Sequence, residues 1–207
     1  MHSNRAFRRD DTSHAVDLAQ DRGFGVVTVN GPEGPFGAHV PFVVEEGAIL
    51  CHLTRANPIA RMIQRQGPQA ALLIVSGPDA YISPDWYETD DQVPTWNYVA
   101  AHIRGQIDLL PENRLYAHLE ALSAVMEARL APKKPWTMDK MSPGTVDAMM
   151  RAILPAVITV EGTQSTWKLN QNKTAAARLA AAEKLEGSPI GHDISGLVHL
   201  MRGVEQD

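Results

Sequence analysis

Short segments in which apolar and polar residues alternate fill the first half of the chain and return towards its end. Such alternation, with many β-branched residues and with Gly, Pro or acidic pairs at the boundaries, is typical of β-strands. The pattern predicts strands over 24–29, 39–44, 48–53, 70–75, 80–83, 95–110 and 157–167, the last interrupted at Gly162. Their close spacing and tight turns, including 31–37 and Gly77-Pro78, favour an antiparallel barrel or sandwich over βαβ units.

A second pattern, with apolar residues three or four positions apart, predicts helices that pack on these strands. Leu115, Leu119, Leu122 and Met126 follow that spacing and predict an amphipathic helix over 111–130. Further helices are predicted over 143–154, 174–185 and 193–202, after Asn57-Pro58, and from a cap at Asp11-Thr12 to Gly23. The chain has no evident linker, so we predict one domain over 1–207, a barrel with a C-terminal helical extension.

Composition narrows the functional classes. The 207 residues carry a formal net charge of −5, which argues against a protein built mainly to hold nucleic-acid phosphates. The single cysteine excludes an intramolecular disulfide and fits a reducing compartment. No stretch approaches the roughly 20 apolar residues of a membrane helix, and the basic N-terminus leads into Asp10 and Asp11 rather than an apolar run. We therefore expect a soluble cytoplasmic protein.

Strong catalytic signatures are absent from the sequence. It contains no G-x-S-x-G, P-loop, H-E-x-x-H or C-x-x-C motif. Cys51 and His52 are adjacent on a predicted strand, so their side chains point to opposite faces and cannot form a dyad; Cys51 is expected to be a buried apolar residue. His39, His52 and His102 lie on strands, but no spacing demands a metal, and we predict none. No catalytic residue can be named.

Three segments have an unusual composition. Residues 84–102 hold two of the four tryptophans, 166–173 join a tryptophan to amide and cationic side chains, and 52–58 end a strand before a helix. In a functional interpretation Thr54, Arg55, Asn57 and the first amides of that helix bind an anion, and the aromatic and amide groups suit a flat heteroaromatic ligand. In the structural alternative the aromatics are core, the arginine is a surface charge and the asparagine is a helix cap.

These segments together resemble the PaiB-like FMN-binding family, whose members are often labelled negative transcriptional regulators. The resemblance runs from about residue 7 to residue 180, and VPTWNY is its most specific motif. The matching segments are AHVPF (38–42), HLTRANP (52–58), GPDAYISPDWY (77–87), VPTWNY (93–98) and WKLNQNK (167–173).

The resemblance implies an α+β fold, mainly β, namely an FMN-binding split β-barrel like that of pyridoxamine-phosphate oxidase with peripheral helices. It implies a homodimer with FMN at the subunit interface. The FMN phosphate would lie at Thr54, Arg55 and Asn57, and His39, Val40 and Pro41 would run along the isoalloxazine ring. The remaining expected contacts are Trp96, Asn97, Tyr98, Trp167, Lys168, Gln171, Asn172 and Lys173.

Three departures from the family pattern concern this pocket. Ala38 stands where relatives usually have Ser before His, and Asn170 stands where they usually have Ser. The loop 88–92 is acidic, whereas relatives tend to carry lysine there. If that lysine contributes to binding, this chain would bind flavin more weakly or take another ligand.

Three functions follow as hypotheses. The first is an FMN-dependent oxidoreductase, and the second is a regulator or ligand sensor without catalytic activity; the charge distribution makes direct DNA binding by the last two helices improbable. The third is a haem protein with His52 or another histidine of the barrel as axial ligand. Trp86, Tyr87 and Trp96 are expected to form an exposed aromatic patch that a two-fold partner would cover.

Overall fold

The computed structural model describes residues 2–9 and 12–204. In this part of the chain the strands are β1 (Arg8–Arg9), β2 (Phe24–Gly31), β3 (Gly34–Glu45), β4 (Ala48–Thr54), β5 (Gln69–Ile82), β6 (Thr95–Leu109), β7 (Ile153–Lys168) and β8 (Gly191–His192). The α-helices are α1 (Thr12–Arg22), α2 (Pro58–Gln66), α3 (Leu115–Ala128), α4 (Thr145–Met150), α5 (Ala175–Leu185) and α6 (Ile194–Arg202). The predicted cap Asp11 lies outside the described residues. None of the described helices is long and apolar enough to cross a membrane.

Two compact units divide the chain, and β5, β6 and β7 contribute residues to both. The sheet unit comprises 19–75 and 103–163. Its strands pair in the order β7-β4-β3-β2-β5, and each register between them is antiparallel. Helix α3 packs on β3 and β4, where Leu122 meets Val43 and Leu50. The alternation of apolar and polar residues thus places one face of each strand in the core.

The helical unit comprises the described residues of 1–18, 76–102 and 164–207. Here β1 pairs with the end of β7, and β8 pairs with the end of β5. Helices α5 and α6 pack together around fully buried Leu185, Leu197 and Met201. Arg178 is also buried, and it donates hydrogen bonds to the carbonyls of Met201 and Val204 at 3.0 and 2.9 Å. Its positive charge therefore stabilises the carbonyl groups at the C-terminal end of α6.

The strand predictions need three corrections. Strand β3 begins at Gly34, five residues before the predicted start and inside the predicted turn 31–37, because residues 34–38 pair with β2 and leave only 32–33 as the turn. Segments 70–75 and 80–83 are one continuous strand, because Gly77 does not form a turn. A Cβ at Gly77 would lie 3.1 Å from Val99 Cβ, so this glycine allows β6 to pass close by. Strand β7 is likewise uninterrupted at Gly162 and begins four residues before the predicted start.

The predicted helix over 143–154 is also wrong. It shortens to α4, since Ile153 and Leu154 pair with Thr54 and Leu53 of β4. Tertiary pairing overrides the local helical pattern there. The predictions of α2, α3, α5 and α6 are confirmed within a few residues at each end.

Candidate functional site

Strands β3 and β4 part within the sheet unit. Their ladder ends at the Phe42–Cys51 pair, yet both strands continue. Residues 39–41 of β3 remain paired with β2, while residues 52–54 of β4 remain paired with β7. The two sequence-predicted segments therefore lie on either side of an opening where backbone groups are not used in a β3–β4 ladder.

Residues 39–41 of β3 present one polar ring and one apolar edge. Val40 is buried, whereas His39 is exposed and stacks on Phe24 with ring centroids 6.1 Å apart. Pro41 lines a cavity of about 360 Å³ whose wall is mainly apolar and includes Phe24 and Trp136. This surface suits the face of a flat aromatic ligand. Cys51, at the end of the ladder, is fully buried as predicted, and burial raises the pKa of its thiol to about 12.

Arg55 lies just beyond β4 and already has partners. Its Nε donates to the carbonyl of Arg151 at 2.7 Å, and its Nη2 lies 2.5 Å from Glu112 Oε2. That hydrogen bond raises the pKa of Arg55 and lowers the pKa of Glu112. Thr54 beside it is exposed. An incoming phosphate would therefore meet a guanidinium that is accessible but shared with a carboxylate.

Asn57 is the N-cap of α2, which is the structural role that the sequence offered as an alternative to anion binding. Its Oδ1 accepts a hydrogen bond from the amide of Ile59 at 2.9 Å, and its carbonyl accepts one from Arg61 at 3.0 Å. Pro58 has no amide proton. The amide of Ile59 is therefore occupied by the cap, and the anion site expected at this helix start stays a prediction for the side chains of Thr54 and Arg55.

The motif 96–98 lies in the helical unit. Asn97 is fully buried; its Nδ2 lies 3.5 Å from Met201 Sδ, and its Oδ1 has no hydrogen-bond partner among the described residues. Trp96 is 47% exposed and makes an edge contact with Tyr81, and Tyr98 is half-buried. Because neighbouring strand residues point to opposite faces, the buried Asn97 side chain and the exposed Trp96 ring do not share one surface, and no single ligand-binding face of this motif follows from them.

Trp167 and Lys168 serve different cavities, because neighbouring strand residues point to opposite faces. Trp167 lines a cavity of about 470 Å³ with Arg9, His14 and His199. Lys168 lines another cavity, of about 210 Å³, together with Asn172 and Lys173. Gln171 lies in neither lining; its Nε2 donates to the carbonyls of Ala6 and Trp167. The residues of this motif therefore line two different cavities, and Gln171 instead makes hydrogen bonds to backbone carbonyls.

The expected aromatic patch is wrong for Tyr87. Its side chain is 1% exposed, and its hydroxyl donates to Asn170 Oδ1 at 3.2 Å. The short 3₁₀ helix Pro84–Tyr87 turns this ring inward, whereas Trp86 stays half-buried and Trp96 exposed.

His52 has a histidine partner that the sequence did not suggest. Its Nδ1 lies 3.2 Å from Nε2 of His118, which is buried on α3. Burial lowers the pKa of both imidazoles, that of His118 to about 4, where proximity to His52 contributes as well. Within the part of the chain that the structure describes, no three His, Cys, Asp or Glu side chains gather as a metal site.

Comparison with known sequences identifies a family model and a relative that each cover most of the chain. A family model described as "Putative FMN-binding domain" matches residues 1–162. The "Protease synthase and sporulation protein PAI 2" of Bacillus subtilis (strain 168) is 27% identical over 190 residues, which cover 90% of this chain and 89% of that protein.

Solved structures show the same fold. An FAD and haem binding protein from Mycobacterium smegmatis superposes with a TM-score of 0.56 at 13% identity, covering 78% of this chain and 73% of that one. The flavocytochrome Anf3 from Azotobacter vinelandii gives 0.52 at 17% identity, covering 80% and 72%. The predicted α+β split β-barrel is confirmed, and the chain belongs to the PaiB-like FMN-binding family.

Proposed function

We propose that this protein binds FMN at the opening between β3 and β4 and uses it as an oxidoreductase. The observation that carries the proposal is the parting of the two strands beyond Phe42–Cys51, which leaves the edges of 39–41 and 52–54 for a ligand. Family membership supports FMN as that ligand.

The donor set at the opening fits the two ends of FMN. The guanidinium of Arg55 and the hydroxyl of Thr54 are accessible donors for a phosphate. The exposed His39 ring, stacked on Phe24, and the apolar cavity at Pro41 suit an isoalloxazine ring. Residues 39–41 would hold the ring edge through the backbone, and 54–55 would hold the phosphate.

Glu112 would compete with the phosphate for the guanidinium of Arg55. Its carboxylate takes the Arg55 Nη2 position that a phosphate oxygen would use. The side chain of Arg55 is 38% exposed and that of Glu112 is 64% exposed, so solvent screens the pair and it contributes little to stability. We expect the phosphate to displace Glu112 from Arg55 on binding.

FMN supplies hydride and single-electron transfer when bound. The chain's own contribution is to orient the ring, limit its contact with water and hold its phosphate. No side chain at the opening is assigned as a proton donor, so the reducing and oxidising substrates are left open in the proposal.

The second hypothesis is a regulator or ligand sensor without catalytic activity, and two basic residues of the last helices add no support for direct DNA binding in such a role. Arg178 is buried under α6, and Arg202 lies 2.7 Å from Glu186. A regulatory role through flavin or another protein is compatible with the same FMN site.

We also propose a homodimer. The candidate surface at Phe24 and His39 is exposed in the single chain, with Phe24 48% exposed. A second copy would shield both this surface and a bound ring from water and would create two equivalent sites.

The absorption spectrum of the purified chain tests the proposal. After incubation with FMN and desalting, we expect the flavin bands near 370 and 450 nm, roughly the region of oxidised flavin absorption, to remain with the protein at about one FMN per chain. A protein that passes all FMN through the column would overturn the cofactor assignment.

A further inference from the structure

Two lysines face one small cavity in the helical unit. The cavity has a volume of about 210 Å³. Its described lining consists of His2, Phe7, Tyr87, Val93, Thr95, Lys168, Asn170, Asn172 and Lys173. These residues come from three separate stretches of the chain, so the cavity is a product of tertiary structure rather than of one loop.

Neither lysine is neutralised within the described part of the chain. Lys168 Nζ donates to the hydroxyl of Thr95 and lies 5.8 Å from the Phe7 ring centroid. Lys173 Nζ donates to Oε1 of Gln92 and lies 5.0 Å from the Tyr87 ring centroid. Their contacts are therefore neutral oxygens and aromatic faces, and the lining holds no carboxylate.

The two ammonium groups also disfavour each other. Burial lowers the pKa of Lys168, and the charge of Lys173 lowers it further. Like charges held together without a counter-ion are stabilised by an anion that binds between them.

Asn170 gives independent evidence of a missing ligand. It lines the cavity and is only 2% exposed. Tyr87 Oη donates to its Oδ1, yet its Nδ2 has no hydrogen-bond partner among the described residues. A buried N–H group without a partner destabilises the folded state, and a ligand oxygen would satisfy it.

We propose that this cavity binds an oxyanion, a phosphate or a carboxylate, between Lys168 and Lys173 with Asn170 Nδ2 as a third donor. The cavity is large enough for such a group with a short carbon chain but too small for a large ring system. We expect the oxyanion of a small free acid, because the proposed function assigns the flavin phosphate to Arg55; the chemistry of recognition is the same for both.

The test is the rate at which individual lysines of the full chain are acetylated, measured by mass spectrometry with and without inorganic phosphate as the probe. Phosphate at matched ionic strength with chloride should slow the acetylation of Lys168 and Lys173 at least five-fold. The exposed Lys134 is the internal control and should react equally in both salts. Equal rates in phosphate and chloride at Lys168 and Lys173, or equal protection of Lys134, would overturn the proposal.

Two variants sharpen the result. Asn170→Asp keeps the acceptor for Tyr87 but replaces the unpartnered Nδ2 with a negative oxygen, so protection of Lys168 by phosphate should disappear. Lys173→Gln, at a half-buried position, should raise the phosphate concentration for half-protection of Lys168 about ten-fold. Unchanged protection in the folded variants would contradict the assignment of these donors.

Flavins separate the two sources of the oxyanion. If FMN protects both lysines and riboflavin does not, the oxyanion is the flavin phosphate, and its placement on Arg55 in the proposed function is overturned. If inorganic phosphate still protects both lysines in FMN-saturated protein, the cavity is free to bind the oxyanion of a small free acid. The phosphate experiment on the purified chain stands even if the protein binds no flavin.

Discussion

His118 shows at the residue scale how tertiary structure sets chemistry that the sequence does not reveal. The structure buries this residue on α3, where its Nε2 lies 3.2 Å from Nδ1 of His52. The pairs His52–His118 and Arg55–Glu112 join residues more than fifty positions apart. Local patterns carry no signal for such pairs, whereas the cap at Asn57 was predictable because it is local.

The buried histidine predicts a loss of stability on mild acidification. The pKa of His118 is lowered from 6.5 in the unfolded chain to about 4 in the folded one. Between these values the unfolded chain binds the proton and the folded chain does not, so the free energy of unfolding falls as pH decreases. From pH 7 to pH 5 this amounts to about 2 kcal/mol.

Urea unfolding at pH 7 and pH 5 measures this loss. His118→Gln should reduce the difference between the two pH values by most of that amount, while His199→Gln, at an exposed position, should leave it unchanged. An identical pH dependence in His118→Gln and in the wild type would exclude His118 as the cause.

Glycines in β6 and β7 have different roles at the scale of elements. The sequence interpretation treated Gly162 as an interruption, yet β7 runs through it, and a Cβ there would meet only Arg104 Nη2 at 3.7 Å. A Cβ at Gly105 of β6 would lie 1.9 Å from the carbonyl oxygen of Thr159 in β7. Only spatial proximity of the two strands distinguishes these glycines, so the sequence could not.

Gly105→Ala should therefore destabilise the protein by about 3 kcal/mol or more, since the backbones of two strands must separate. Gly162→Ala is the matched control and should change the free energy of unfolding by less than about 0.5 kcal/mol. Denaturant unfolding followed by circular dichroism compares the two. Equal stability of both variants would show that β6 and β7 do not approach each other at this point.

The elements themselves were more predictable than their ends. Helices α3, α5 and α6 follow from apolar periodicity and capping residues, which are local signals. The helix expected over 143–154 failed where Ile153 joins β4, because the partner strand lies about a hundred residues earlier.

The fold of the whole molecule could be predicted from resemblance and strand order together, and comparison with solved structures confirms it. The candidate site was predictable only in part. The expected residues at the β3–β4 opening belong to the sheet unit, and those of 167–173 belong to the helical unit. Within the latter, Trp167 and Lys168 line different cavities because neighbouring strand residues face opposite sides.

The proposed homodimer predicts a sedimenting mass of twice the chain mass of 22.6 kDa in the presence of FMN. Phe24→Glu places a charge on the exposed ring that stacks with His39 and should shift the protein towards monomer. Leu130→Glu, which is equally exposed after the end of α3, should sediment as the wild type does. A wild-type monomer with FMN bound would exclude the dimer.

The central claim is that FMN binds at the opening with its phosphate on Arg55, and a flavin fluorescence titration with FMN and riboflavin tests it most directly. We expect the wild type to bind FMN at least ten-fold more tightly than riboflavin. Arg55→Ala should abolish this preference, and Glu112→Gln should increase it a few-fold by removing the competing carboxylate. A wild type that binds neither flavin, or an Arg55→Ala variant that keeps the full preference for FMN, would contradict the account.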